Sequence, residues 1–151
     1  MDIKITKARK SDVHEILRLI DELAEFEKLT PPDEKAKKHL VNDAFGKKPA
    51  YHVILAKIDR KTIGYAFYFY TYSSFLARKT LYLEDIYISI EYRRLGTGKL
   101  LFNKLIDIAR KKGCGRMEWC VLEWNKNAID FYEKLGAKEL KEWKYYRLSL
   151  E

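Results

Sequence analysis

Apolar and polar positions along this chain of 151 residues change period several times, and each change predicts a new element. Ile3 and Ile5 alternate with polar neighbours, which predicts a first strand over 3–8. Val13, Ile16, Leu17, Ile20, Leu23 and Ala24 then recur at helical spacing to about Phe26, and Asp12 followed by Glu15 has the form of a capping box. Thr30-Pro31-Pro32-Asp33 breaks that helix, and a weaker one is predicted from about Asp33 to Phe45, ended by Gly46-Lys47-Lys48-Pro49. The runs 51–58 ("YHVILAKI") and 62–72 ("TIGYAFYFYTY") flank Asp59-Arg60-Lys61 and predict a hairpin; 80–88 ("TLYLEDIYI") predicts a third strong strand.

From Gly98 the period becomes helical again. Leu101, Leu105 and Ile108, beside Phe102, Ile106 and Ala109, draw a wide stripe with Gly113 at its C-terminal cap. A strand over 116–124, a short helix over 127–135 stopped by Gly136, and a final strand pair over 138–150 complete the pattern. Strands followed by a β-α-β crossover imply an α/β fold: a mixed sheet of about seven strands with helices on both faces. The length fits a single domain spanning 1–151.

Composition narrows the classes. The chain is 47% hydrophobic and 14% aromatic, which is globular, and no apolar run approaches the ~20 residues of a membrane span. The N-terminus lacks a signal-peptide core, which points to a cytoplasmic protein. The net charge of +8 is spread along every segment, without an RRM, KH or zinc-finger signature, so a small anionic cofactor accounts for it as well as nucleic acid does. His14, His39 and His52 have no metal-ligand spacing, and no metal is expected. Cys114 and Cys120 read as reduced thiols, with Cys120 expected to be buried in its strand and inert.

The most informative stretch is Leu83–Gly98, "LEDIYISIEYRRLGTG", which sets two acids in an apolar run and ends in two arginines and a Gly-x-Gly turn. A dinucleotide fingerprint would need a third glycine where Leu101 stands, and a P-loop would need glycine at Arg93 and Ser/Thr at Leu100. What remains is a turn opening a helix, and the plainest reading is only that. However, the N–H groups and positive dipole end of a helix N-terminus attract anions, glycines admit them closely, and Arg93, Arg94 and Lys99 add charge. In physical terms this is a pyrophosphate cradle.

Arg93-Arg94-Leu95-Gly96-Thr97-Gly98 resembles the [Q/R]-x-x-G-x-[G/A] motif of the GCN5-related N-acetyltransferases, the GNAT superfamily. The predicted element order is similar to the GNAT fold throughout. Residues 16–29, 82–88, 123–137 and 146–148 are further similar to the diamine acetyltransferases, the spermidine/spermine N1-acetyltransferases and their thialysine-acetylating relatives. The resemblance implies acetyl transfer from acetyl-CoA to a primary amine of a small molecule, by direct attack in a ternary complex. A protein Lys or N-terminal acetyltransferase, and a non-catalytic acyl-CoA- or nucleic-acid-binding module, are the alternatives.

By that resemblance Ile86, Tyr87 and Ile88 hold the pantetheine and thioester through their backbone, Arg93, Arg94, Leu95, Gly96, Thr97, Gly98 and Lys99 form the pyrophosphate site, and Asn125, Lys126 and Asn127 line the other side of the cofactor. Tyr132 matches the general acid for the departing thiolate, although an aromatic at helical spacing also reads as core. Glu84 matches the base acting on the amine, the plainer alternative being an ion pair with a nearby Lys or Arg. Period two puts Glu84 and Asp85 on opposite faces unless a bulge re-aims one of them. Phe26 and Glu27 match a substrate-contacting pair, and Asp85 joins them as a candidate. Ser74 and Lys144 stand where the polyamine enzymes carry acids, which leaves the identity of the amine open. The relatives' homodimers imply a homodimer here, with no membrane partner.

Overall fold

The structure, a computed structural model, describes residues 2–151, and the chain divides between Cys120 and Val121 into two compact units. In the first, β1 (Ile3–Lys7), β2 (His52–Ile58), β3 (Lys61–Ser73), β4 (Arg78–Ile88) and β5 (Arg116–Trp119) form one sheet in the order β1-β2-β3-β4-β5. Neighbours are antiparallel except β4 and β5, which are parallel and joined by a crossover through α3 (Thr97–Lys111). Helices α1 (Val13–Glu27) and α2 (Glu34–Ala44) precede β2. This is the expected mixed α/β architecture.

Strand alternation sorts the sheet into two apolar faces. Val53, Leu55, Tyr65, Phe67 and Tyr87 cluster with Ile16 and Leu19 of α1. Ile54, Ala56, Ala66, Leu81 and Leu83 alternate with that set and are equally buried, while α3 packs across β1 to β4 and buries Leu101, Phe102, Leu105 and Ala109. Burial on both faces explains why these strands read as continuous apolar runs.

Local chemistry differs from expectation at the start of α1. Asp12 does not cap that helix; its carboxylate accepts from the Arg9 amide at 2.8 Å and pairs with Lys57 at 2.9 Å, and a 3-10 turn, Lys10–Asp12, leads into α1. Asp33 does cap α2, accepting from the Ala36 amide at 2.8 Å.

The second unit holds α4 (Lys126–Lys134), capped by Asn125, whose side chain accepts from the Ala128 amide at 3.3 Å. At its far end the Ala137 amide returns to the Tyr132 carbonyl across Gly136, whose φ of +93° suits the left-handed turn. The predicted final strand pair over 138–150 is not formed: those residues lie in turns and irregular backbone, with Trp143, Tyr145, Tyr146, Leu148 and Leu150 exposed. Aromatic and aliphatic residues supply strand propensity, but a ladder also needs a neighbour to exchange backbone hydrogen bonds. The strand expected over 116–124 likewise ends at Trp119, so among the described residues the sheet has five strands rather than about seven.

Candidate functional site

The sheet opens where β4 outlasts its neighbour. Parallel pairing with β5 runs from Thr80↔Arg116 to Leu83↔Trp119 and stops, while β4 continues to Ile88 and stays paired with β3. From Glu84 to Ile88 the other edge of β4 has no strand partner among the described residues. In the register set by the Ser89 amide on the Ile63 carbonyl, Tyr87 turns its N–H and C=O to β3 while Ile86 and Ile88 turn theirs to the open edge. There the Ile86 groups and the Ile88 N–H are available to an extended ligand lying as a surrogate strand.

Two features fix this edge. Gly64 on β3 lies opposite Ile88, and a Cβ there would sit 2.8 Å from the Tyr87 carbonyl oxygen, so only glycine lets the strands come this close. The Ser89 amide then donates to the Ile63 carbonyl at 2.8 Å, pinning the chain as it leaves the sheet.

A β-bulge governs the acids. Asp85 pairs with Phe67 and Leu83 with Tyr68, which leaves Glu84 as the extra, unpaired residue. The expected opposition of Glu84 and Asp85 is thereby broken. Glu84 is exposed, whereas Asp85 is half-buried, so the cost of desolvating a carboxylate falls on Asp85. Tyr65, fully buried, donates to Asp85 Oδ2 at 3.0 Å. Burial pushes the Asp85 carboxyl up to about 6 against that hydrogen bond, with the Glu84 and Glu27 charges adding to the rise. Burial also raises Glu27, with Glu84 contributing, and raises the Tyr65 phenol well above its ordinary value. Glu27, Glu84 and Asp85 thus form one electronegative cluster at the head of the open edge. None of the ion pairs among the described residues involves Glu84.

At the other end of the open edge lies α3. Its N-cap is Gly96, with φ of +82° and no side-chain cap, so the amides of the first turn have neither intrahelical nor side-chain partners. A Cβ at Gly96 would meet nothing within 4 Å, which leaves the approach to those amides open. Thr97 is 2% exposed, and its Oγ1 is buried without a hydrogen-bond partner. An orphaned hydroxyl at an uncapped helix N-terminus fits an oxyanion of a bound pyrophosphate. Arg94, with φ of +66°, and Lys99 are exposed beside it.

Arg93 behaves differently. Its Nε donates to the Ile88 carbonyl at 2.9 Å, and its guanidinium lies 4.6 Å from the Phe26 ring centre and 5.3 Å from that of Tyr87. Glu22 of α1 accepts from Ser89 Oγ at 2.8 Å and from the Tyr87 hydroxyl at 3.4 Å, and is itself salt-bridged to Arg18.

The structure therefore brings Phe26, Glu27, Glu84, Asp85, Tyr87 and Arg93 together in the first unit, with Ile86 and Ile88 along the open edge. Asn125, Lys126, Asn127 and Tyr132 belong to the second unit, where Asn125 caps α4 and Tyr132 is half-buried, edge-on to Phe131 at 5.8 Å. Cys120, expected to be buried, is exposed just past the end of β5, its Sγ 3.4 Å from the Tyr82 hydroxyl. Tyr65, Glu22 and Gly64 escaped sequence reasoning; a glycine inside a strand run was the one signal available.

Comparisons with known proteins agree with this geometry. Residues 13–137 match the model of the acetyltransferase (GNAT) family. A thialysine N-epsilon-acetyltransferase from Bos taurus is 39% identical over 99% of this chain and 94% of its own length. The human spermidine/spermine N(1)-acetyltransferase-like protein 1 is 34% identical over 98% of this chain, which spans 23% of that longer protein. Among solved structures, a Trypanosoma brucei acetyltransferase superposes with a TM-score of 0.76, at 24% identity over 99% of this chain and 100% of its own.

Proposed function

This chain belongs to the GNAT family of acetyltransferases, and from that premise we propose that it acetylates a small primary amine of the polyamine, diamine or thialysine type. The family's reaction takes the acetyl group from acetyl-CoA, which supplies the thioester. The observation that carries the reading is the free edge of β4, running from the Glu27, Glu84 and Asp85 cluster at one end to the uncapped N-terminus of α3 at the other.

Each end suits one substrate. A polyanionic donor is favoured by the amides of the α3 first turn, by Thr97 Oγ1 and by Arg94 and Lys99, with Leu95 and Gly98 completing the turn. The main chain of Ile86 and Ile88 suits the amides of the pantetheine arm. Three carboxylates attract a cationic acceptor, as expected for the thialysine- and polyamine-acetylating relatives. Glu84, exposed at the bulge, takes a proton from the substrate ammonium directly or through a water, which frees the amine lone pair to attack the thioester carbonyl, and Phe26 and Glu27 orient the amine. As the C–N bond forms and the C–S bond breaks, the Tyr132 hydroxyl supplies a proton to the departing sulfur. By resemblance to the family, Asn125, Lys126 and Asn127 at the start of α4 are the further residues assigned to the cofactor.

The reading takes residues 1–151 as one catalytic domain, because the family match continues through α4. It also takes the working form as a cytoplasmic homodimer: the exposed apolar side chains over 138–150 and the open outer edge of β5 are surfaces a second copy would cover. A CoA-thiol release assay against spermidine, spermine, putrescine, thialysine, lysine, ornithine and short peptides tests the function. Turnover of at least one small amine is expected, and thiol release with none of them would overturn it.

A further inference from the structure

We propose that Arg93, the leading residue of the glycine-turn motif, is a positioning residue that ties the acceptor side of the site to the donor side and binds no phosphate. The inference rests on the acetyltransferase reading and assigns one residue of that site a different task from its neighbours.

The geometry is specific. An Arg side chain free to bind pyrophosphate keeps its fork toward the anion. Here Nε is taken up by the Ile88 carbonyl at 2.9 Å, and the planar guanidinium is set against two rings, Phe26 at 4.6 Å and Tyr87 at 5.3 Å. Arg93 is half-buried, whereas Arg94, next to it with φ of +66°, is exposed, so the chain reverses between them and separates their tasks.

The partners explain what such a strut accomplishes. Ile88 is the last residue of the open β4 edge, where the donor lies. Phe26 sits in the last turn of α1, where the acceptor amine lies. One side chain thus fixes the distance between the two substrate sites. Glu22 provides a second tie between the same elements, accepting from Ser89 and Tyr87 and held in turn by Arg18. Lysine cannot replace this arrangement, because a compact ammonium has no planar face to lay on two rings while its neighbouring N–H reaches a carbonyl.

The test compares wild type with Arg93→Lys, Arg94→Gln and Phe26→Leu, and with the double variant Arg93→Lys/Phe26→Leu. Acetyl-CoA affinity is measured by calorimetry across a range of salt concentrations, and kcat/KM for the amine the wild type turns over fastest is measured at saturating acetyl-CoA. Arg93→Lys is expected to keep acetyl-CoA affinity and its salt dependence within about threefold of wild type, while kcat/KM for the amine falls by roughly tenfold or more. Arg94→Gln is expected to weaken acetyl-CoA and flatten the salt dependence. The double variant should lose little beyond the worse single one, because both substitutions break the same strut.

A tenfold loss of acetyl-CoA affinity in Arg93→Lys, with amine kinetics intact, overturns the proposal, and so do strictly additive losses in the double variant. Wild type that fails to bind acetyl-CoA refutes the acetyltransferase reading instead, and the two failures are distinguishable. In that event amide hydrogen exchange at Ser89–Tyr92 in the free protein still tests the strut: Arg93→Lys should raise it, and unchanged protection sinks the idea.

Discussion

The buried phenol of Tyr65 donates its hydrogen bond to the Asp85 carboxylate at 3.0 Å, on the sheet face that α1 covers. A neutral donor offsets part of the desolvation of a carboxylate but leaves it without a counter-ion, and Glu84 and Glu27 are like charges. The Asp85 carboxyl is accordingly pushed up to about 6 from an ordinary 3.8.

That displacement sets the sign of a pH effect on stability. Between pH 3.8 and about 6 the folded protein retains a proton that the unfolded chain has lost, so the contribution of Asp85 to stability falls as pH rises through this window and levels off above it. Asp85→Asn keeps an acceptor for Tyr65 and removes the titration. The variant should match wild type near pH 3.5 and exceed it by roughly 2 kcal/mol at pH 7, as read by urea unfolding at a series of pH values. A constant difference across the series would contradict the assignment.

Thr97 offers a trade between stability and affinity. Its Oγ1 is buried and unpartnered at the start of α3, which costs the free protein on the order of 1–3 kcal/mol. Thr97→Val preserves the shape and removes the orphan. Thermal unfolding of the free protein should shift upward by a few degrees, while acetyl-CoA binding weakens about fivefold or more. A variant that is no more stable, or that binds as tightly as wild type, would mean that the hydroxyl has another partner in solution.

The two proposed proton-transfer groups separate by pH. Tyr132→Phe should lower kcat by roughly ten- to a thousandfold with acetyl-CoA affinity nearly unchanged. Glu84→Gln should lower the rate most at low pH, where deprotonation of the amine limits turnover, and converge on wild type as pH rises. An unchanged kcat in the first variant removes the acid, and a flat pH ratio in the second removes the base.

Much of this was legible in the sequence. The helices follow from a period of 3.6 and the β2–β3–β4 meander from apolar runs broken by turn residues, and Gly96 was placed at a helix start by the turn motif alone. What was hidden has physical causes. A bulge does not disturb alternation in the sequence; it emerges from the register between Phe67 and Tyr68, so the reversal in burial of Glu84 and Asp85 had no local signal. Arg93 sits in a run of cations, and only the folded chain shows that one of them turns back onto aromatic rings. The segment over 138–150 carries the aromatic and aliphatic residues strands favour, yet a strand depends on an edge to pair with, and that is a tertiary property.

The closeness of β3 to the end of β4 can be tested through Gly64. A methyl group there would lie 2.8 Å from the Tyr87 oxygen and 3.0 Å from Ile88 Cγ1, and the first of these is backbone that cannot swing aside. Gly64→Ala must therefore push β4 outward over the residues that form its open edge. The overlap should destabilise the fold by about 1–3 kcal/mol, lowering the melting temperature by several degrees. The displaced segment also carries Ile88, whose carbonyl Arg93 holds, and Ser89, whose amide is pinned to Ile63. Catalytic efficiency should thus fall further than the loss of folded protein explains, even at temperatures where the variant is fully folded. Circular dichroism and kcat/KM measured on the same preparation at 15 °C decide the matter: native signal with wild-type kcat/KM would mean that the edge tolerates the shift and that its position is not what aligns the substrates.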